Sequence, residues 1–277
     1  MHLHLLETGL FKLDGGAMFG VVPQSLWKKL NTPDDNNMCT WAMKSLLIED
    51  KNHLTLIDTG IGNKQDPKFF NHYFLHGDDS LEKSINKLGF SPSDISNVFL
   101  THLHFDHAGG AIKKSGDHFV PSFENANYWT NSAHWNWAID PNPREKASFL
   151  KENILPIKES GQLKFADYEK FNAFEYIFVD GHTEKMMLPK ITNKNKTFVF
   201  VSDLIPSVGH ISLAYIMSYD VRPLVTMIEK RAFLEDAAKG NWILIFQHDP
   251  AVECCTVKFS EKGIVVDEVL KFSEINS

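Results

Sequence analysis

Short apolar runs alternate with polar, glycine- or proline-marked breaks along the chain, and they predict a mixed α/β protein. Gly15-Gly16 marks a turn between two short apolar segments. Trp41 to Glu49 and Leu54 to Asp58 read as two strands joined at Asp50-Lys51-Asn52, a hairpin by pattern. Ser80 to Leu88 reads as a helix, capped at Asp79 or Ser80 and followed by Gly89. Ile95 to Leu100 is then a buried strand, and this strand–helix–strand order indicates layered α and β structure. Phe174 to Val179, Phe198 to Val201 and Asn241 to Phe246 are further strands. Pro223 to Lys239 reads as a helix, with Leu224, Met227, Ile228, Ala232 and Phe233 near a 3.6-residue period and Gly240 as its stop. Val257 to Ser260 and Ile264 to Val269 suggest a closing hairpin. Between 121 and 170 the pattern changes. Trp129, Trp135, Trp137 and Phe149 are interleaved with polar residues, and Pro141, Pro143 and Pro156 interrupt them, which predicts short helices and loops forming an insertion over a site.

The polar residues that close these strands carry the chemistry. The run Val98-Phe99-Leu100 leads into Thr101-His102-Leu103-His104-Phe105-Asp106-His107-Ala108-Gly109-Gly110, with three imidazoles and one carboxylate inside six residues. These are ligand types that zinc and its neighbours accept. Residues two apart on an extended segment point the same way, so His102 and His104 can share a metal. Asp106 and His107 follow where the chain turns and can face a second. Three later strands also end in ligand-type residues: His182 in Asp180-Gly181-His182-Thr183, Asp203 in Ser202-Asp203, and His248 in Gln247-His248-Asp249. Sites in α/β proteins gather outside the carboxyl ends of strands. A solvated polar loop explains one such ending more readily than four.

Composition narrows the reading without redirecting it. The 277 residues are 43% hydrophobic and 23% charged, as in an ordinary globular chain, and the net charge is −7 without a lysine- or arginine-rich run. That weighs against nucleic acid as a partner. Cys39, Cys254 and Cys255 show no C-x-x-C spacing and no disulfide framework; the adjacent pair reads as an alternating strand with one thiol buried. The amino terminus has no basic region followed by a long apolar core, and no apolar run approaches the ~20 residues of a membrane span. No signal peptide, no membrane partner and a cytoplasmic location are expected.

The 102–107 segment closely resembles the H-x-H-x-D-H signature of the metallo-β-lactamase superfamily. Leu13-Asp14-Gly15-Gly16-Ala17-Met18-Phe19-Gly20 and Leu56-Ile57-Asp58-Thr59-Gly60 resemble the branch of N-acyl homoserine lactonases and methyl-parathion-hydrolase-like enzymes. The resemblance implies an αββα sandwich of two mixed sheets flanked by helices, as one domain over 1–277 with the insertion around 121–170. It implies two divalent metal ions, zinc by default. His102, His104 and His182 would hold the first, Asp106, His107 and His248 the second, and Asp203 would bridge them. It further implies that a hydroxide bridging the metals attacks a lactone, ester or phosphotriester, with Asp106 as proton shuttle, and that Asp58 supports a ligand histidine.

This chain departs from the family pattern in two places. The family often reads Gly-His-Thr-Pro-Gly where this chain has Gly181-His182-Thr183-Glu184-Lys185, and homoserine lactonases carry a tyrosine where Pro206 stands. A broader lactonase or esterase-type hydrolase acting on a small molecule is therefore expected. The alternatives are a thiolester hydrolase of glyoxalase-II type and an iron-dependent redox member. Phe105, Phe19 and one or two aromatics of the insertion are candidate pocket residues; His134 reads first as a surface or hydrogen-bonded core residue, with a substrate contact as the outlying reading. The apolar loop from Gly15 to Pro23 is a candidate homodimer surface and equally a candidate cover for the site.

Overall fold

The computed structural model describes residues 1–51 and 53–275. Its strands in chain order are β1 (His2–Asp14), β2 (Met38–Asp50), β3 (His53–Ile57), β4 (Asn97–Phe99), β5 (Ile112–Ser115), β6 (His118–Pro121), β7 (Asn127–Thr130), β8 (Leu163–Phe165), β9 (Glu175–Val179), β10 (Met186–Asn193), β11 (Lys196–Phe200), β12 (Ile243–Ile245), β13 (Cys254–Ser260) and β14 (Gly263–Leu270). Two six-stranded mixed sheets run β1-β2-β3-β4-β7-β8 and β14-β13-β12-β11-β10-β9, and β5 pairs with β6 alone. Helices flank them, so the mixed α/β class implied by the resemblance is the class observed. Contacts divide the chain into two units, Met1–Gly9 with Met43–Ala173, and Leu10–Ala42 with Phe174–Ser277. Among the described residues no helix is long and apolar enough to cross a membrane.

In the first unit, β2 and β3 form the expected hairpin, with Leu46 opposite Ile57 and Leu47 opposite Leu56. Asn52, the third residue of the expected turn, lies outside the described residues. β3, β4, β7 and β8 are parallel neighbours. Parallel strands covered on both faces read as unbroken apolar runs, and Val98, Phe99 and Leu100 are at most 1% exposed. The helix Leu81–Lys87 brings the chain back to β4. Ser80 caps it by accepting from Lys83 N–H, and Gly89 leaves it at φ 83°. Its Ile85 packs into a core that includes Val98, Tyr128, Ile154 and Ile157.

The stretch 121–170 differs from the expectation of helices and loops. It contributes two strands of the first sheet, β7 and β8, along with the helices Ser132–Ile139 and Lys151–Glu159. Strands of three and four residues are too short to display a period. Pro156 sits inside the second helix rather than ending it.

In the second unit, β11 and β12 are parallel and the remaining pairs antiparallel. The helix Pro223–Gly240 exists as expected, with two corrections. Its buried residues are Thr226, Lys230, Phe233, Leu234 and Ala237, whereas Leu224 and Ile228 are 73% and 70% exposed. The buried stripe keeps the helical period but carries a threonine and a lysine, so apolarity alone pointed to the wrong face. The helix ends at Asn241 in the left-handed region (φ 49°), one residue beyond Gly240. The Lys230 ammonium is buried because it donates to the carbonyls of His210, Ser212 and Tyr215 at 2.9, 2.9 and 2.8 Å. Cys254 and Cys255 are both buried, not one of the two.

Candidate metal centre

β4 delivers His102, His104, Asp106 and His107 to one place in the first unit. His102 and His107 are fully buried, and His104 and Asp106 are 6% and 9% exposed. After two extended residues the chain enters a single helical turn, Phe105–Ala108, in which His107 N–H and Ala108 N–H both donate to His104 O. That turn carries Asp106 and His107 round to the same side as the two preceding histidines.

The turn is clamped from beneath by the loop after β3. Asp58 Oδ1 accepts from Thr101 N–H at 2.8 Å, and its Oδ2 accepts from the Thr101 hydroxyl at 2.8 Å and lies 3.0 Å from His107 Nδ1. Thr59 N–H and its hydroxyl both donate to His107 O. Asp58 adopts φ 55°, a left-handed conformation that aspartate tolerates better than bulkier residues. The approach is close enough that Gly109 and Gly110 are required: a Cβ on either would lie 2.1 Å from Ile61 O or 2.2 Å from Thr59 O.

These bonds set the histidine tautomers. The Asp58 carboxylate only accepts, so His107 Nδ1 carries the proton and Nε2 the lone pair. Because the Thr101 hydroxyl donates to Asp58, its oxygen accepts from His102 Nδ1 at 3.1 Å, which leaves Nε2 of His102 as an acceptor as well. That Nε2 lies 3.1 Å from His104 Nδ1, and His107 Nε2 lies 3.7 Å from Asp106 Oδ2. The Nε2 atoms of His102 and His107 are thus lone pairs beside the Asp106 carboxylate, nitrogen and oxygen of the kind a borderline-hard divalent cation takes.

The second unit gathers the other three predicted residues. His182 follows β9, Asp203 follows β11 and His248 follows β12. Asp220, 1% exposed, lies 2.9 Å from His182 Nδ1, and the Ala42 carbonyl lies 2.9 Å from His248 Nδ1. Both acceptors place the proton on Nδ1 and leave Nε2 free of it. The two Nε2 atoms then face the two oxygens of one carboxylate: His182 is 3.2 Å from Asp203 Oδ2, and His248 is 3.0 Å from Asp203 Oδ1. Acceptor facing acceptor in a buried place is repulsive without a positive charge between them. The residues of each unit therefore form a His/Asp cluster chemically fit to bind metal.

Several functional neighbours had no signal in the chain. Asp220 lies in the irregular stretch before the long helix and belongs to no spaced motif. His134 is fully buried. Its Nε2 accepts from Leu103 N–H at 2.9 Å, and it is placed by the Asn131 side chain, which caps the helix Ser132–Ile139. It holds the backbone of the histidine segment and is not a substrate contact. Phe19 is likewise core rather than pocket. It is fully buried and stacked between Trp27 and His210 at ring distances of 5.4 and 4.5 Å. Phe105 remains at the edge of the first cluster, against Phe69 and Tyr73 at 5.4 and 4.7 Å. Burial, and then the charge of Asp106, push the Tyr73 phenol up to about 12, so it stays a hydrogen-bond donor. The expected Gly15–Pro23 loop opens instead with a short helix, Gly15–Phe19, capped by Asp14; Met18 and Phe19 are buried, while Val21 is 97% exposed.

The known proteins that this chain is similar to include metal-dependent hydrolases. Over 191 residues it is 25% identical to the N-acyl homoserine lactonase AiiA of Bacillus thuringiensis subsp. kurstaki; the match spans 65% of this chain and 66% of that protein, just under two thirds of its length. Over 116 residues it is 32% identical to a probable metallo-hydrolase of Mycobacterium tuberculosis, spanning 38% of this chain and 34% of that one. Its structure is similar to that of a probable metal-dependent hydrolase from Staphylococcus aureus, with a TM-score of 0.85 and 27% identity over 97% of this chain and 98% of that one. It shares its fold with AidC, a dizinc quorum-quenching lactonase solved with a product, at a TM-score of 0.77 and 23% identity over 97% and 95% of the two chains. The family match runs over residues 44–248 and so through every one of the predicted donor positions: this chain belongs to the metallo-beta-lactamase superfamily.

Proposed function

We propose that this protein is a dinuclear metal-dependent hydrolase of small-molecule lactones, esters or phosphotriesters. In this reading His102, His104 and His182 hold one divalent cation, Asp106, His107 and His248 hold the other, and Asp203 bridges them. The observation that carries the reading is the Asp203 carboxylate. Each of its oxygens faces an imidazole nitrogen whose ring has already placed its proton elsewhere. One carboxylate presenting one oxygen to each of two histidines suits a bridging role.

Two bound cations would supply an acidified water as nucleophile at neutral pH and Lewis acidity toward a carbonyl or phosphoryl oxygen. The chain's own residues do the rest. Asp58, Asp220 and the Ala42 carbonyl hold the protons of His107, His182 and His248 on Nδ1, so that Nε2 stays a lone pair. Asp106 is the proton shuttle: it is 9% exposed and has a second oxygen to accept the proton released as the nucleophile attacks and return it to the leaving oxygen. Phe105, Phe69 and Tyr73 form an aromatic wall for the apolar part of a substrate. The lactonase relatives favour lactones. Pro206, at the position where homoserine lactonases carry a tyrosine, favours a broader ester range.

The test is elemental analysis of the purified protein, together with lactone, aryl-ester, phosphotriester and thiolester turnover before and after chelation. About two zinc-rich equivalents with chelator-sensitive lactone or ester turnover are expected. One iron per chain without hydrolysis would overturn the dinuclear reading, and preferred thiolester turnover would redirect the substrate class.

A further inference from the structure

Four of the five histidines in the proposed donor set are oriented the same way. His102, His107, His182 and His248 each direct Nδ1 at a protein acceptor, which leaves Nε2 for a ligand. His104 is turned the other way. Its Nδ1 lies 3.1 Å from His102 Nε2, on the ligand side, and its Nε2 points back into the protein. There it lies 3.4 Å from Oε1 of Glu145, a carboxylate only 2% exposed.

Glu145 is itself built into place. Its Oε2 accepts from Trp137 Nε1–H at 2.7 Å and from Asn142 Nδ2–H at 2.6 Å. Its backbone N–H donates to Asn142, and its carbonyl accepts from Ser148 N–H. Ser148 O in turn accepts from Phe105 N–H, so the same turn grips the residue after His104. The His104 ring also rests on Phe149, 4.8 Å between centroids. A buried carboxylate is costly unless both of its oxygens are served. Two neutral donors serve one oxygen, and the other is aimed at His104.

We propose that Glu145 is a positioning residue that holds the proton of His104 on Nε2 and so presents Nδ1 to the metal. The inference rests on the dinuclear reading of the site. It assigns to the segment 121–170 a part in metal binding that none of its own residues performs as a ligand.

Glu145→Gln separates this role from a merely structural one. A glutamine oxygen can still accept from Trp137 and Asn142, which keeps the turn. The amide NH2 must then face His104, where only an acceptor nitrogen fits, and the His104 proton moves to Nδ1. Long-range 1H–15N NMR of the metal-free protein should show His104 protonated on Nε2 in the wild type and on Nδ1 in the variant. Competition with a chromophoric chelator should show one of the two zinc equivalents bound about 10–100-fold more weakly by the variant. Circular dichroism and the melting temperature of the metal-free protein should stay near those of the wild type.

A wild-type His104 protonated on Nδ1 would overturn the inference. So would an E145Q protein with unchanged tautomer and unchanged zinc affinity. If the wild type takes up no divalent cation, the dinuclear reading fails by itself, and the NMR tautomer still decides whether Glu145 sets His104.

Discussion

Asp58→Asn is the sharpest perturbation of the first cluster because it keeps the side chain's shape while removing its charge and reversing half of its hydrogen-bond polarity. Asparagine has the same shape and also tolerates the left-handed conformation at φ 55°. The backbone N–H of Thr101 cannot turn away, so the amide oxygen stays where Oδ1 accepts from it at 2.8 Å. The NH2 then replaces Oδ2, opposite the Thr101 hydroxyl and His107 Nδ1. The hydroxyl can rotate to accept. The ring nitrogen can accept only if its proton moves to Nε2, the atom proposed to face the metal.

Three hydrogen bonds to a charged acceptor, each worth about 1.5–3 kcal/mol, are exchanged for neutral ones of about 0.5–1.5, and most of that loss is offset by removing the desolvation cost of a buried carboxylate. The net loss is about 1–2 kcal/mol in the metal-free protein. At roughly 2–4 °C per kcal/mol for a chain of this size, melting falls by about 2–8 °C. Metal binding loses more, because the wrong tautomer must be reversed: about 10–100-fold in affinity for one metal equivalent. Melting in the presence of chelator and chelator-competition titration measure the two effects separately. A variant that binds two equivalents within twofold of wild type would refute the tautomer argument, whatever its melting temperature.

Three further outcomes follow from groups outside the donor set. His210 is buried, which pushes its imidazole down to about 3 from an ordinary 6.5. The folded protein keeps it neutral while the unfolded chain takes up a proton below 6.5, so stability falls as pH drops from 6.5 toward 3, by about 2 kcal/mol at pH 5. Urea unfolding at pH 7 and pH 5 with chelator present should show that drop, and His210→Gln should flatten it. Lys230→Met strands the carbonyls of His210, Ser212 and Tyr215, and should cost about 2 kcal/mol or more and speed protease cleavage between 207 and 219. Gly109→Ala places a Cβ 2.1 Å from Ile61 O at an ordinary helical φ of −61°, so only the contact is at fault. It should cost about 1–3 kcal/mol in thermal unfolding and weaken metal uptake as the histidine turn shifts.

The proposed donor residues were legible in the chain because each follows an apolar strand, and a strand announces itself locally. Val98-Phe99-Leu100 before His102, and the strands ahead of His182, Asp203 and His248, needed no tertiary information to be seen. Short-range signals also marked the Ser80 cap with Gly89, and the β2–β3 hairpin. What the chain could not display is whatever depends on a partner far away in sequence. Asp220 and Glu145 belong to no motif, and only the fold sets them beside His182 and His104, 38 and 41 positions away in sequence. His134 stood between a surface or hydrogen-bonded core residue and an outlying substrate contact until Leu103 N–H was found on its buried ring. The expected apolar stripe of the long helix left Lys230 out, because only folding brings the three carbonyls of one loop around its ammonium and turns Leu224 and Ile228 outward. Which side chains offer ligand-type atoms at strand ends could be read from the chain alone, since that is a property of side-chain chemistry and local periodicity. The tertiary structure alone decided where each imidazole keeps its proton, because a tautomer is set by the acceptor that folding brings to the opposite side of the ring.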